Sequence, residues 1–231
     1  MRRTELLDSD YPKRLASIAN PPSELYYKGG IGMVDQACNV AVIGSRRVSD
    51  RGIEAAYQIG YTLGRMGINV VNGLAMGCDT YALRGALAAG GTCVAVMPCG
   101  LDRIVPHANT RLAERLLSDG GCLLSEYPCQ TPVRRYQYVE RDRLQSGLSD
   151  GVIVIEAECD SGTMYTVGYA IRQGRRLACV DSRLVRYSSG NRWLEGQMGV
   201  RVIRDMDCLN GFIADIRNDI VYRQVRLDDL T

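Results

Sequence analysis

Histidine and lysine are almost missing from this chain of 231 residues, which has one histidine, His107, and two lysines, Lys13 and Lys28. A single histidine leaves no Ser-His-Asp or Cys-His arrangement beyond one built on His107, and that residue follows Pro106 in a turn-like context. Nine cysteines are present, yet no two have the C-x-x-C spacing of a zinc site, and His107 has none beside it. Several cysteines lie in apolar runs such as Thr92-Cys93-Val94-Ala95-Val96, where Cys acts as a small hydrophobe, so reduced thiols are expected. No apolar stretch reaches the ~20 residues needed to cross a bilayer. Met1-Arg2-Arg3 leads into polar sequence instead of a signal peptide, so a cytoplasmic protein without a membrane segment is expected. Neither G-x-G-x-x-G nor G-x-x-x-x-G-K-[ST] occurs, which argues against NAD binding and ATP hydrolysis. No cofactor, metal site or catalytic set is expected. The chain also has no internal repeat and no low-complexity linker.

Apolar residues make up 46% of the chain, enough for a sizeable core, and charged residues 23%. The net charge is only +2, but nearly all of the 28 basic residues are arginines. Arginine presents a planar fork to phosphate and stacks on bases, whereas lysine is a point charge; biased codon usage would also enrich arginine.

Residues 1–38 read as a lead-in that packs on the core, with a short helix near Glu5 and an extended Leu25-Tyr26-Tyr27. Residues 39–213 alternate strands and helices. Strands are expected at Asn39–Gly44, Ile68–Val71, Thr92–Met97, Cys122–Glu126, Gly151–Ile155, Arg176–Val180 and Val200–Ile203. Helices are expected at Ser49–Met66, Thr80–Ala89, Ala108–Leu117, Arg141–Leu148, Thr163–Arg172 and Asp207–Ile213. The continuous apolar strands fit a parallel sheet covered on both faces, so the fold class is α/β, Rossmann-like and mostly parallel. Residues 214–231 form a tail in which Ile220–Val225 reads as an edge strand or ordered segment, ending in a frayed Asp-Asp-Leu-Thr.

Ligands of such sheets bind where strands end at their carboxyl termini. The four loops there are Gly44–Arg47, Asn72–Asp79, Pro98–Asp102 and Glu156–Thr163, the last ending in Ser161-Gly162-Thr163. Gly44-Ser45-Arg46 is an anion hook or a plain turn, and Gly162-Thr163 a phosphate-friendly helix start or a cap. Arginines cluster at Arg134-Arg135-Arg141-Arg143, interleaved with Tyr127, Tyr136 and Tyr138, and again at Arg172-Arg175-Arg176-Arg183-Arg186. Arginines that track phosphates beside aromatics that stack bases suit a single-stranded nucleic acid, though a solvated face has the same composition. Glu126, Glu156, Glu158 and Asp160 lie near strand ends, and nothing in the sequence selects a catalytic pair among them.

In order along the chain come Tyr11-Pro12, Pro21-Pro22, Leu25-Tyr26-Tyr27-Lys28-Gly29, Val42-Ile43-Gly44-Ser45-Arg46 and Asn72-Gly73-Leu74-Ala75-Met76-Gly77-Cys78-Asp79. Then follow Cys99-Gly100-Leu101-Asp102, Leu124-Ser125-Glu126-Tyr127-Pro128, Ser146-Gly147-Leu148-Ser149, Ser161-Gly162-Thr163, Gln173-Gly174-Arg175 and Ser189-Gly190-Asn191. This series resembles the DprA/Smf family, DNA-processing protein A. The resemblance implies a Rossmann-like domain that binds single-stranded DNA in a basic pocket, forms a homodimer and hands DNA to the RecA recombinase during natural transformation. It also implies that Arg46, Arg141 and Arg143 are the family's pocket arginines, beside Gly44, Ser45, Gly73, Gly77, Ser161, Gly162 and Thr163.

Three departures stand out. Aspartate occupies Asp142 where the family has asparagine, putting a negative charge where phosphate is expected. Ser161-Gly162-Thr163-Met164-Tyr165-Thr166 is bulkier than the family's helix start, and a C-terminal winged-helix domain is expected to be missing. Two rival readings belong to the wider superfamily. One is a stand-alone nucleotide sensor in a defence or signalling system. The other is a nucleotide phosphoribohydrolase, but here Thr166 stands where that enzyme's catalytic glutamate belongs.

Overall fold

The computed structural model describes the backbone of residues 1–228. In chain order the elements begin with β1 (Arg2–Glu5), α1 (Lys13–Ala16), β2 (Glu24–Gly29), α2 (Met33–Gln36), β3 (Asn39–Ile43) and α3 (Asp50–Arg65). They continue with β4 (Asn69–Asn72), α4 (Cys78–Ala88), β5 (Cys93–Val96), α5 (Thr110–Ser118), β6 (Cys122–Ser125) and α6 (Arg135–Gly147). The last are β7 (Gly151–Val154), α7 (Thr163–Arg172), β8 (Arg176–Val180), α8 (Ser189–Glu195), β9 (Val200–Ile203) and α9 (Met206–Asp228).

The strands form one sheet in the order β1-β2-β6-β5-β4-β3-β7-β8-β9. Every pairing from β6 to β9 is parallel, while β2 runs antiparallel to both β6 and β1. This is the α/β, mostly parallel, Rossmann-like architecture expected from the run of apolar strands. From β3 the chain winds outward through β4, β5 and β6, then returns to place β7 on the other side of β3. The connections leaving β3 and β7 therefore diverge and open a crevice at their carboxyl ends.

Alternation along each strand divides the core in two. Val40 and Val42 of β3, Ile153 of β7, and Cys93 and Ala95 of β5 face the layer of α3, α4, α5 and α9. Ala41 and Ile43, Val152 and Val154, and Val94 and Val96 face α1, α2, α6, α7 and α8. A period of two with both faces apolar is what a doubly covered strand requires.

Ser49 caps α3, its hydroxyl accepting from the Gly52 N–H at 3.2 Å. Five cysteines, at positions 78, 93, 99, 122 and 179, are buried free thiols. Burial pushes the thiols of Cys93, Cys122 and Cys179 up to about 12. Such groups stay protonated and pack as small hydrophobes.

Three local expectations are corrected. The segment near Glu5 is a strand, not a helix: β1 pairs with β2 in register Thr4↔Leu25 and buries the Thr4 side chain. Pairing along an open edge of the sheet overrides local preference over so short a segment. Helix α6 begins at Arg135, six residues before the expected start. Finally, α9 runs through 213 to Asp228, where a tail and edge strand were expected. Its stripe Leu209, Phe212, Ile213, Ile216 and Ile220 follows helical spacing and packs on the first core layer. The last three residues of the expected frayed terminus lie outside the described residues.

Helices α3 and α4 approach so closely that a Cβ on Gly60 would stand 2.1 Å from the Ala82 carbonyl oxygen. Gly85 has the same relation to the Tyr57 carbonyl, also at 2.1 Å. Gly60→Ala should therefore lower unfolding free energy by about 1–3 kcal/mol despite alanine's better helix propensity, as read by urea denaturation.

Candidate functional site

The crevice at the β3 and β7 carboxyl ends is a cleft of about 530 Å³. Its walls are the Gly44–Arg47 loop, the start of α7 at Ser161-Gly162-Thr163, and one face of α6. On α6, Arg135, Tyr138, Val139 and Asp142 follow i, i+3, i+4, i+7 spacing and all line the cleft.

The first loop is held by the backbone. The Ser45 N–H donates to the Glu156 carbonyl at 2.7 Å, and the Ser45 carbonyl accepts from the Cys78 N–H at 3.1 Å. Gly77, at φ +79°, lies directly beneath, where a Cβ would stand 2.3 Å from the Ser45 carbonyl oxygen. Gly77 thus shapes the loop without lining the cleft. With the loop fixed, Arg46 and Arg47 are exposed at the mouth. The Arg46 guanidinium lies 4.8 Å from the Tyr138 ring centroid, and Arg47 lies at the same distance from Tyr187. Among the described residues, neither arginine nor Arg135 has an ion-pair partner.

The floor carries a different kind of charge. Arg141 is only 5% exposed, and its Nη1 donates to the Val96 carbonyl at 2.6 Å. Its Nε stands 3.2 Å from Asp142 Oδ1. Gly73 makes this possible, since a Cβ there would lie 1.8 Å from Arg141 Nη1. Buried Asp79 accepts the Gly73 and Ala75 N–H groups at 2.9 and 3.2 Å. Asp142 accepts Gln145 Nε2 at 2.6 Å. Burial pushes the carboxyls of both Asp79 and Asp142 up to about 6, against the pull of Arg141. The negative charge expected to oppose phosphate is therefore buried beside Arg141.

Of the ten sequence-derived positions, Gly44, Ser45, Arg46, Arg141, Ser161, Gly162 and Thr163 line the cleft. Gly73 and Gly77 support it from behind. Arg143 is not brought to it: the guanidinium forms a two-pronged ion pair with Glu126, at 2.8 and 2.5 Å, and donates to the Asn20 carbonyl at 3.1 Å. It binds the lead-in to α6 instead. Sequence reasoning did not commit to Arg47, Arg135 or Tyr138. Placing the helix start at Arg135 would have shown the α6 face that includes two of them.

The carboxylates near strand ends have structural partners or lie in the open. Glu156 is fully buried. Its Oε2 accepts from the Ser49 N–H at 2.9 Å and the Ser49 hydroxyl at 3.0 Å, and its Oε1 from the Arg186 and Tyr187 N–H groups at 3.0 and 2.6 Å. Glu126 is spent on Arg143, while Glu158 and Asp160 are exposed. Among the described residues no group of His, Cys, Asp or Glu could hold a metal ion, and no helix is long and apolar enough to cross a membrane.

A carboxyl whose folded pKa is raised is more easily ionised in the unfolded chain, so Asp142 lowers stability as pH rises from about 4 to 6. Asp142→Asn cannot ionise, and Arg141 keeps its bond to the Val96 carbonyl. The variant's stability advantage over the native chain should grow across that window and level off above it at about 1–3 kcal/mol, as read by denaturation at several pH values.

Comparison with known proteins accords with this geometry. The family profile of DNA recombination-mediator protein A matches residues 3–212. Protein Smf of Escherichia coli is 34% identical over 200 residues, covering 86% of this chain and 53% of its own length. DNA processing protein DprA of Streptococcus pneumoniae is 36% identical over 181 residues, 78% of this chain and 63% of that protein. The chain thus spans between half and two thirds of these relatives' length. DNA processing protein A of Helicobacter pylori, whose structure was described for its single-stranded DNA binding mode, superimposes with a TM-score of 0.81 at 27% identity. That match covers 94% of this chain and 97% of the other. Motif order, sheet order and these matches agree: the chain belongs to the DNA recombination-mediator protein A family, the DprA/Smf proteins.

Proposed function

We propose that this protein binds single-stranded DNA in the switch-point cleft and acts, without catalysing a reaction, as a DprA-type mediator in DNA uptake and recombination. The observation that carries this reading is the set of arginines at the mouth. Arg46, Arg47 and Arg135 have no ion-pair partner among the described residues, and Arg46 rests on the Tyr138 ring. A guanidinium held on an aromatic face is pre-ordered for phosphate, and the exposed Tyr165 beside it offers a stacking surface for a base.

The phosphoribohydrolase reading lacks its carboxylate: Thr166, at the position of that enzyme's glutamate, is buried at the cleft wall. Handing the strand to RecA and acting as a homodimer are carried over from the family resemblance, and a cytoplasmic location from the polar start of the chain. The nucleotide-sensor reading becomes an outcome of the experiment below.

Anisotropy titration of labelled oligo-dT should show single strands preferred over duplex, with log affinity falling by about 0.7 per neutralised phosphate for each decade of salt. Arg46→Ala should weaken binding about tenfold or more, the order expected for a lost charged hydrogen bond. Binding of a small nucleotide with no affinity for oligonucleotides would replace this reading with the sensor one.

A further inference from the structure

Arginines of the second sequence cluster divide sharply in the fold. Arg175 donates to the Gly147 carbonyl at 2.8 Å, Arg176 pairs with Asp219 at 2.6 Å, and Arg183 pairs with Asp181 at 2.7 Å. Arg172 rests on Tyr169, 4.6 Å from the ring centroid. Arg186 is exposed, has no ion-pair partner among the described residues, and lies 5.7 Å from the Tyr187 ring centroid. Arg47 approaches the same ring at 4.8 Å. Tyr187 thus holds two guanidiniums, one reaching it from the loop after β3 and the other from the loop after β8.

Tyr187 lines a second cleft, and Arg47 on its ring lines the first. The second is also about 530 Å³ and lies between the start of α3, at Val48–Arg51, and the loop Arg183–Tyr187. The two clefts are contiguous along the chain, because Arg46 and Arg47 line the first and the next four residues line the second. Facing the second cleft are Arg51 and Arg186, with Arg183 held on Asp181, and one lining carboxylate, Asp50. The walls are fixed from below, since the buried Glu156 carboxylate accepts from Ser49 on one side and from Arg186 and Tyr187 on the other. A basic groove with rigid walls, joined to the switch-point cleft through the contact of Arg47 with Tyr187, suits a chain of phosphates better than a lone anion.

We infer that the second cleft is a further binding site for the phosphodiester backbone, so that a single strand leaving the switch-point cleft crosses the Arg47–Tyr187–Arg186 ridge and continues past Arg51. This rests on the single-strand reading of the first cleft. It lengthens the occluded site from the few nucleotides that one cleft can hold. The pre-ordering of Arg47 and Arg186 on one ring reduces the entropy lost when the strand docks.

The test compares oligo-dT of about six nucleotides with oligo-dT of about twenty, using Arg51→Ala combined with Arg186→Ala, both changes on exposed side chains. Thermal unfolding should match the native chain. Affinity for the longer strand should fall about tenfold or more, its salt slope should shrink by about 1.4 for two lost phosphate contacts, and short-strand affinity should stay within about twofold. An unchanged slope and affinity for the longer strand, with Arg46→Ala still damaging both lengths, would overturn the second site and leave the first standing. Equal loss for both lengths would also overturn it, because the two clefts would then be one. Loss confined to duplex would make the groove a duplex contact and overturn it likewise. If Arg46→Ala changes neither length, the underlying single-strand reading itself fails.

Discussion

The buried carboxylate of Glu156 is the constraint on which the site depends. It sits just beyond the carboxyl end of β7, inaccessible to solvent, and a charge there persists only when its hydration is replaced. Four donors do so, from Ser49 at the cap of α3 and from the backbone at Arg186 and Tyr187. Backbone donors cannot be swapped by side-chain rearrangement, so the anion fixes the spacing between two loops that share no strand pairing. Gly52 leaves the necessary room, as a Cβ there would lie 2.1 Å from Glu156 Oε2. Glu156 is thus a tie between the two walls of the second cleft.

Positive charge is sorted by the same logic. Arginines that hold segments together, such as Arg143 on Glu126 and Arg176 on Asp219, are matched with carboxylates. Arg46, Arg47 and Arg186 at the clefts lie on tyrosine rings, which orient a guanidinium while leaving its N–H groups for another acceptor. Arg141 is the intermediate case: it is buried, shared between Val96 and Asp142, and able to shape the floor without reaching far into solvent. Aspartate at 142 fits this arrangement because Arg141 is already in place to compensate it.

Much of the fold could be read from the sequence, because β3, β5 and β7 are apolar on both faces and the helices between them carry clear stripes. The switch point follows from that alternation, and with it the location of the crevice. What could not be read was which arginines remain available. Arg141 and Arg143 are two residues apart on one helix, yet one enters the cleft and the other turns toward the lead-in, a difference set by Glu126 and Asn20 far away in sequence. The α6 face was hidden by a misplaced helix start, since Arg135 to Glu140 is polar and shows no apolar stripe. Helix α9 was obscured differently: Ile220 and Val221 look strand-like in isolation, and only the stripe beginning at Leu209 shows that Ile220 continues a helix.

The pairing of β3 with β7 joins residues 111 apart, as the contact between Asn39 and Asp150 shows. On a ribosome adding about 5–20 residues per second, β3 waits roughly 5–20 s for its neighbour. During that interval β3 has β4 on one side only, and the Gly44–Arg47 loop lacks both Glu156 and the α6 wall. An unfinished chain therefore carries the arginine hook without the pocket that organises it. Under the proposed single-strand reading, nucleic acid near the ribosome would meet the complete cleft only after the second half of the sheet has closed.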